Sequence, residues 1–328
     1  MRRYLARRLL LAVPLLLALA TLLFLLVEAA PGDPADLLIS PGMTQAVRDQ
    51  VRTNLGLDQP MGIRYLRWLG ALARGDLGFS QSHGAPVRAV LAQVLPNTLL
   101  LTGASLFLAF LVGIGVGVVQ AMRQNSLTDS ALSVGVLFFY SLPSFWLGIM
   151  LILVFSYGAQ SLWDWPFHLP ASGAVGVNHD LLDPWARVVD RIRHLILPAA
   201  TLVLVLAAGV ARYARSGLLE VIRQDYVQAA RARGLSEGQV LLRHVLPNSL
   251  LPLITVFGLY LPVLFSGAVF VETVFAWPGM GLLMVEAVSA RDYPLILAGG
   301  LLFSALVVMG NLVADLLYAW ADPRVRYE

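Results

Sequence analysis

The amino-acid sequence predicts an all-α integral membrane protein with six transmembrane helices and a sizeable first outer loop. Hydrophobic residues make up 58% of its 328 residues and charged residues 13%, whereas soluble domains carry about 25% charged residues. Six apolar runs approach the length that crosses a hydrocarbon core of about 30 Å. Arginines gather beside alternate ends of these runs, and the positive-inside rule then places both termini in the cytoplasm.

The six predicted spans alternate with polar connections along the chain. The first span follows arginines at positions 2, 3, 7 and 8. A cleaved signal peptide is the alternative for this segment, but the apolar run is too long for a signal core and more spans follow. We therefore interpret it as an uncleaved helix. The predicted spans are Leu9–Val27, Asn97–Ala121, Ala131–Tyr157, Leu195–Ala211, Asn248–Val271 and Leu295–Ala319.

The polar connections divide the chain into four predicted regions. The outer loop is expected to contain two short amphipathic helices, at Met43–Leu55 and Met61–Ala73. The regions are a cytoplasmic N-terminus with the first helix at 1–28, the outer loop at 29–94, a five-helix core at 95–320 that includes a cytoplasmic loop at 220–247, and a cytoplasmic tail at 321–328.

Features inside the spans suggest helix packing and a pathway. The spacing of Gly113 and Gly117 is typical of close helix contact. Pro143 should kink or break the third span, and irregular backbone at membrane depth is tolerated where it lines a cavity or is buried in protein. A simple packing kink is the alternative. Ionisable residues inside spans are functional candidates, and Glu272 lies at the outer end of the fifth span without being clearly central. The candidate pathway or gate residues are Pro143, Ser144, Phe145, Trp146 and Glu272.

A polar, arginine-rich stretch at residues 225–247 separates two apolar runs that a far shorter linker could join. Tyr226–Arg233 contains good helix formers and no breaker. Gly234 suits the left-handed position that ends a helix, and Ser236 with Gln239 fits a capping box that starts a second helix. The pattern predicts a helix, a glycine turn and a short helix, which we call the elbow. An ordinary cytoplasmic loop is the alternative.

The sequence lacks the patterns of several function classes. It has no cysteine, which excludes disulfides, cysteine-ligated zinc and thiol catalysis. It has no phosphate-binding Gly-x-x-x-x-Gly-Lys-Ser/Thr loop, no His-Glu-x-x-His motif and no Gly-x-Ser-x-Gly motif, so a membrane enzyme is the weakest alternative. The net charge of +3 is not gathered into a basic stripe, which argues against nucleic-acid binding.

Two further function classes remain possible besides a transport pathway that takes its energy from a partner protein. A secondary transporter would need coupling-ion residues deep in the bundle, and no carboxylate or histidine is clearly central in a span. A membrane scaffold without a pathway would leave Pro143 and the outer loops unexplained. We favour a transport pathway that is driven by a partner protein, and we expect that partner to act on the elbow.

The elbow resembles the EAA loop of permease subunits in binding-protein-dependent ABC importers. The family pattern is Glu-Ala-Ala, three residues, Gly, nine residues and Ile-x-Leu-Pro. Here Gln228-Ala229-Ala230 precedes Gly234, and His244-Val245-Leu246-Pro247 follows at that spacing, with Gln228 replacing Glu and His244 replacing Ile. Nearly the whole chain is similar to the dipeptide, oligopeptide, nickel and glutathione branch, in the motifs Leu55–Pro60, Gly75–Ser80, Leu142–Gly148, Glu272–Gly281 and Arg291–Pro294.

The resemblance implies a type I ABC importer permease and a division of labour in a bacterial inner membrane. This chain would pair with a second related permease, usually as a heterodimer, and two cytoplasmic ATPase subunits would each receive one elbow. An extracytoplasmic substrate-binding protein would deliver di- or oligopeptides. ATP and Mg would be used by the partner ATPases, and this chain would bind no cofactor or metal.

The resemblance also implies which elbow residues couple to the ATPase. By hypothesis the small residues permit close approach and the arginines supply charge. The implied coupling residues are Asp225, Tyr226, Gln228, Ala229, Ala230, Arg231, Arg233, Gly234, Ser236, Arg243, His244 and Pro247.

Overall fold

The computed structural model is built mainly of helices. It describes residues 2–30, 43–54, 56, 58–161, 165, 168–249, 251–266 and 268–321. A two-stranded antiparallel hairpin interrupts the helices. The elements are α1 (Arg2–Ala29), α2 (Gln45–Asn54), α3 (Met61–Ala73), β1 (Phe79–Ser80), β2 (Ala85–Pro86), α4 (Val87–Met122), α5 (Leu127–Ser141), α6 (Ser144–Ile152), α7 (Ala159–Ser161), α8 (Pro184–Ile222), α9 (Asp225–Ala232), α10 (Glu237–Val240), α11 (Leu246–Ser249), α12 (Leu251–Ser266), α13 (Val269–Val274), α14 (Met280–Ser289) and α15 (Tyr293–Ala321).

Four of the described helices are long and apolar enough to cross a membrane, namely the membrane-length parts of α1, α4, α8 and α15. The pair formed by α5 and the helix that begins at Ser144 adds a fifth if it is one span. Within the predicted fifth span lies α12, an apolar helix of 16 residues. The described residues are thus compatible with the predicted count of six spans.

Two of the helices that contain predicted spans begin well before the first residues of those spans. The helix α4 begins at Val87 and continues through Pro96, because its first turns bury Val87, Val90 and Leu91 in a core. The helix α8 begins at Pro184, after Asp183 accepts hydrogen bonds from the backbone nitrogens of the next turn at 2.9 and 3.0 Å. The C-terminal parts of the predicted outer loops that precede these two spans are therefore helical.

Pro143 breaks the third predicted span. Leu142 and Pro143 have extended backbone, and the helices on either side meet at 103°. The second helix then changes to π-helical geometry over Leu153–Gly158. The expectation of a kink or break is confirmed, and the observed change of direction is a break.

The chain forms two compact units, which we describe separately. The first consists of Met1–Pro96 and Gly279–Leu306. Its core joins the first turns of α4 to α14 and the start of α15, around the fully buried Val87, Met280 and Leu295. In the same unit, the hairpin pairs Phe79 with Pro86.

The second unit consists of Asn97–Pro278 and Val307–Glu328. In this unit α4 packs closely on α8. A Cβ atom built on Gly113 would lie 2.7 Å from the Val210 Cβ, and one built on Gly117 would lie 2.6 Å from the Ala214 Cβ. These glycines allow the two backbones to approach, as their spacing predicts.

Candidate functional site

The elbow has the local structure that its residues predict. Its first helix is α9, and Gly234 follows with a φ of +85°. The Ser236 side chain then accepts from the Gln239 nitrogen, and the Gln239 side chain accepts from the Ser236 nitrogen. This capping box starts α10, which continues as one π-helical turn at Leu241–Val245 before α11.

The inner face of the elbow packs against the ends of α4 and α8. Val227 and Ala230 are buried on α9, and Val240 and Val245 are buried further along the elbow. The same cluster contains Ala121 of α4 and Leu218 of α8. Six buried apolar side chains thus join the elbow to the ends of both helices.

The outer face of the elbow is polar with one large apolar residue. Tyr226, Gln228 and Arg233 are exposed on its first half. Arg243 and Leu242 are exposed on its second half, and the Leu242 side chain is 64% exposed. These residues form a free face on the surface of the subunit.

An ion pair closes the glycine turn of the elbow. The Arg231 Nε and Nη2 donate to the two carboxylate oxygens of Glu237, over 2.9 and 3.2 Å. Because one residue lies before Gly234 and the other after it, the pair ties the two helices together. The outward-facing charge on this turn is therefore that of Arg233.

The remaining predicted coupling residues divide between the two faces. Asp225 is exposed in the first turn of α9, Ala229 and His244 are half-buried, and Pro247 is exposed in α11. Ala230 is only 4% exposed and contacts the inner cluster. Its packing role is visible in the structure, and its predicted contact with an ATPase stays a prediction.

The candidate pathway residues lie at the Pro143 break and in α13. Phe145 and Trp146 are exposed just after the break, and Ser144 is half-buried. Further along the same helix, Gly148 contacts Phe275, whose ring would lie 3.0 Å from a Cβ atom at that position. The helix after the break therefore packs tightly on the segment that follows α13.

Glu272 is fully buried, and its carboxylate accepts a hydrogen bond from the Thr98 Oγ1 at 2.9 Å. Nearby, the Asn97 side chain donates to the Pro278 carbonyl and accepts from Arg191 at 2.7 Å. The Trp277 indole donates to the Asn97 carbonyl at 3.0 Å. This polar network fastens α13 and its following turn to α4 and α8, so Glu272 lies inside the protein in this conformation.

A large open groove was not predicted from the sequence. Its volume is about 1010 Å³, and Gln120, Ser133, Arg212, Tyr213, Glu220 and Arg223 contribute to its lining. The Arg212 guanidinium lies 4.7 Å from the Tyr140 ring centre. The charged residues that line the groove follow the predicted fourth span, so the groove lies beside the C-terminal part of α8.

Arg215, which lines the same groove, forms an ion pair that joins α8 to α5. The Arg215 Nε and Nη2 donate to the Asp129 carboxylate at 3.0 and 2.9 Å. The two residues are 86 positions apart, so no local pattern could have revealed the pair. The Asp129 carboxylate also accepts from the Asn125 nitrogen at 3.1 Å, which orders the turn before α5.

Asp292 holds the hairpin of the first unit. Its carboxylate accepts from the Ser80 Oγ at 2.6 Å and from the Ser82 Oγ and nitrogen at 2.7 and 3.0 Å. It also accepts from the Leu295 nitrogen at 3.3 Å, in the first turn of α15. Burial by itself would raise the pKa of Asp292, but these hydrogen bonds to the ionised form hold that pKa below its ordinary value.

This lowered pKa gives a pH dependence with a definite sign. The ionised Asp292 stabilises the folded hairpin fully above its ordinary pKa of 3.8, and the contribution is lost as the pH falls below that value. We expect hydrogen-exchange protection of residues 79–86 to fall over this acidic range. Asp292→Asn should show lower protection at neutral pH and a weaker pH dependence. Equal pH profiles for both proteins would contradict the assignment.

Two protein-family models match this chain. The N-terminal model of the binding-protein-dependent transport system membrane component matches residues 1–102. The model described as binding-protein-dependent transport system inner membrane component matches residues 113–327, more than half of the chain. The chain belongs to this family. It is a permease subunit of an ABC importer, as the resemblance of the elbow indicated.

Curated relatives match this permease from end to end. An oligopeptide transport system permease protein of Bacillus subtilis is 42% identical over 328 residues and covers 100% of both chains. A di/tripeptide transport system permease protein of Pseudomonas aeruginosa is 38% identical over 335 residues, with 100% of both chains covered. A glutathione transport system permease protein of Salmonella paratyphi A is also 38% identical, again over 100% of both.

A solved structure supports the fold of the permease. The MetNI methionine ABC transporter, in inward-facing conformations, aligns with a TM-score of 0.55 and 20% identity. The alignment covers 71% of this chain and 96% of that one. At this identity the likeness concerns the fold alone.

Proposed function

We propose that this permease forms half of the translocation pathway of an ATP-driven importer for di- or oligopeptides. Full-length similarity to permeases named for oligopeptides and for di- and tripeptides supports this substrate class. The single observation that carries the coupling role is the elbow, a capped and glycine-turned segment that packs on two spans and presents a free polar face.

The proposed complex contains three further kinds of component. A second related permease completes the pathway, two cytoplasmic ATPase subunits hydrolyse ATP with Mg, and an extracytoplasmic binding protein delivers the substrate. This chain binds neither ATP nor a metal. Its elbow lies on the cytoplasmic side together with both termini, which agrees with the arginines that flank the inner ends of the spans.

The proposed mechanism uses the rigidity of the elbow. When the ATPase subunits close on ATP, they move the outer face that contains Tyr226, Arg233 and Arg243. The inner cluster passes this displacement to the ends of α4 and α8. Since α8 also carries one wall of the large groove, its movement opens or closes that groove to the cytoplasm. A rigid docked segment transmits such movement, whereas a flexible loop would change its own conformation and leave the helices where they are.

Reconstitution of the purified complex tests this function. The tagged permease should co-purify with ATPase subunits and a second permease. In liposomes, uptake of labelled di- and tetrapeptides should require both ATP and the binding protein, and a proton or sodium gradient without ATP should not support it. Labelled glutathione and a nickel chelate serve as substrate controls, because the family branch also includes their permeases. Gradient-driven uptake in the absence of ATP would instead establish a secondary transporter.

A further inference from the structure

A buried carboxylate fixes the turn between α4 and α5 to α8. Besides the two bonds from Arg215, the Asp129 carboxylate accepts from the Asn125 nitrogen, and the Asp129 nitrogen donates to the Ser126 Oγ at 3.2 Å. Asn125 has a φ of 62°, a left-handed conformation that asparagine adopts more readily than most residues. Asp129 is only 4% exposed. One carboxylate therefore sets both the geometry of this turn and its position on α8.

A second polar contact ties α4 to α5 beside this carboxylate. The Gln120 side chain is buried, and its Nε2 donates to the Ser133 Oγ at 2.9 Å. Ser133 lies four residues after Asp129, so the two side chains share one face of α5. On its other side α4 meets α8 at Gly117, where an added Cβ atom would lie 3.0 Å from the Arg215 nitrogen. The three helices are thus joined in pairs at this end of the second unit.

The elbow packs next to this junction. Ala121 follows Gln120 in the sequence, and Leu218 lies three residues after Arg215, on the same side of α8. Both Ala121 and Leu218 belong to the buried cluster that holds the inner face of the elbow. Among the described residues, the members of that cluster come from α4, α8 and the elbow, with none from α5. The ion pair of Asp129 and Arg215 therefore connects α5 to the helix ends that carry the elbow.

From these contacts we infer that the ion pair of Asp129 and Arg215 links the movement of the elbow to α5, so that both are positioning residues in energy coupling. The inference rests on the transport function proposed above. Helix α5 ends at the break at Pro143, beside the candidate pathway residues. A displacement of α8 by the elbow carries α5 with it, and the two helices move as one body. Arginine suits this role because its planar fork holds a carboxylate in one orientation, unlike the compact ammonium group of lysine.

The ratio of ATP hydrolysed to peptide transported tests this link in proteoliposomes of the assembled importer. Asp129→Asn keeps the shape of the side chain and loses its charge. Arg215→Gln leaves a buried carboxylate without its cation, which is costly, so Arg215→Lys is the second variant, with the charge kept and the paired geometry lost. We expect each variant that folds to raise the ratio about five-fold, a typical effect for a contact between coupled sites.

The double variant Asp129→Asn with Arg215→Gln distinguishes a pair from two independent residues. Its ratio should also rise about five-fold, because the second change removes a bond that is already lost, whereas independent effects would multiply to about twenty-five-fold. Asp190→Asn is the matched control. Asp190 lies near the other end of α8, where it accepts from the Gly176 nitrogen at 2.9 Å and contacts the His179 ring at 2.7 Å. Its loss should leave the ratio unchanged.

Spin labels measure the linked movement directly. Because the chain has no cysteine, Leu127→Cys at the start of α5 and Ala232→Cys at the end of α9 give two unique labels in this subunit, and both positions are exposed. Double electron–electron resonance should show one narrow distance between these labels with and without ATP. In the Asp129→Asn background the distance should broaden or shift when ATP is added.

Three results would contradict the inference. Wild-type ratios in both Asp129→Asn and Arg215→Lys would show that the pair has no part in coupling. Multiplied effects in the double variant would show that the two residues act separately. An equal rise in Asp190→Asn would reflect a general loss of stability. Uptake without ATP would disprove the importer itself, and the label distances would then still decide whether the pair holds α5 to the elbow.

Discussion

Gly234→Val is expected to reduce ATP-driven uptake at least ten-fold while the spans remain folded. Gly234 has a φ of +85°, and a left-handed conformation costs an ordinary residue about 1–2 kcal/mol, more with a branched side chain. No atom lies within 4 Å of a Cβ built there, so the cost is backbone strain and not collision within the subunit. The strained turn would displace α9 relative to α10. ATP hydrolysis and uptake in proteoliposomes would report the uncoupling.

A series at the same turn distinguishes strain from other effects. Asn tolerates the left-handed region better than other residues with a side chain, so Gly234→Asn should retain more uptake than Gly234→Ala, and Gly234→Val the least. Gly238→Ala is the matched control, since Gly238 lies inside α10 and also has open space around its Cβ position. Wild-type uptake in Gly234→Val would disprove the role of this turn.

Trp277→Ala is expected to destabilise the second unit by about 3–5 kcal/mol, the usual cost of truncating a buried Trp or Phe. Trp277 is fully buried with Leu101, Leu197 and Phe275. Its indole donates to the Asn97 carbonyl, and this hydrogen bond would also be lost. Titration of the detergent-solubilised chain with denaturant, followed by circular dichroism, would measure the change in the free energy of unfolding.

Two further variants divide this effect into its parts. Trp277→Phe keeps most of the apolar contact and loses the hydrogen bond, so it should cost about 1–3 kcal/mol. Trp185→Ala changes a side chain that is 75% exposed and should stay within about 0.5 kcal/mol of wild type. A similar effect of Trp185→Ala and Trp277→Ala would contradict the assigned burial.

Structural features that depend on residues close to one another in the sequence were predictable. The helix at Met61–Ala73 has the predicted bounds, and the glycine turn and capping box of the elbow form at the predicted residues. Each depends on helix propensity, on a left-handed glycine or on a side chain three residues away. The break at Pro143 belongs to the same class, since proline removes a backbone donor and clashes with the preceding turn.

Features that depend on tertiary packing were not predictable. Helix α4 continues through Pro96 because buried contacts of its first turns outweigh the local cost of a proline. Ser80 and Asp292 are 212 positions apart, and the sequence does not reveal which polar residues meet across such distances. The burial of Ala230 was not predictable for the same reason, because the face by which a short helix packs depends on the helices around it.

The break at Pro143 has an electrostatic consequence for the subunit. Where a helix stops, its last carbonyls and the first amides of the next helix lose their intrahelical partners. The negative end of the α5 dipole thus meets the positive end of the α6 dipole in the middle of an otherwise apolar run. Unpaired peptide groups cost several kcal/mol in hydrocarbon. The side of the subunit that bears Pro143 must therefore turn away from the lipid tails, toward water or a neighbouring protein.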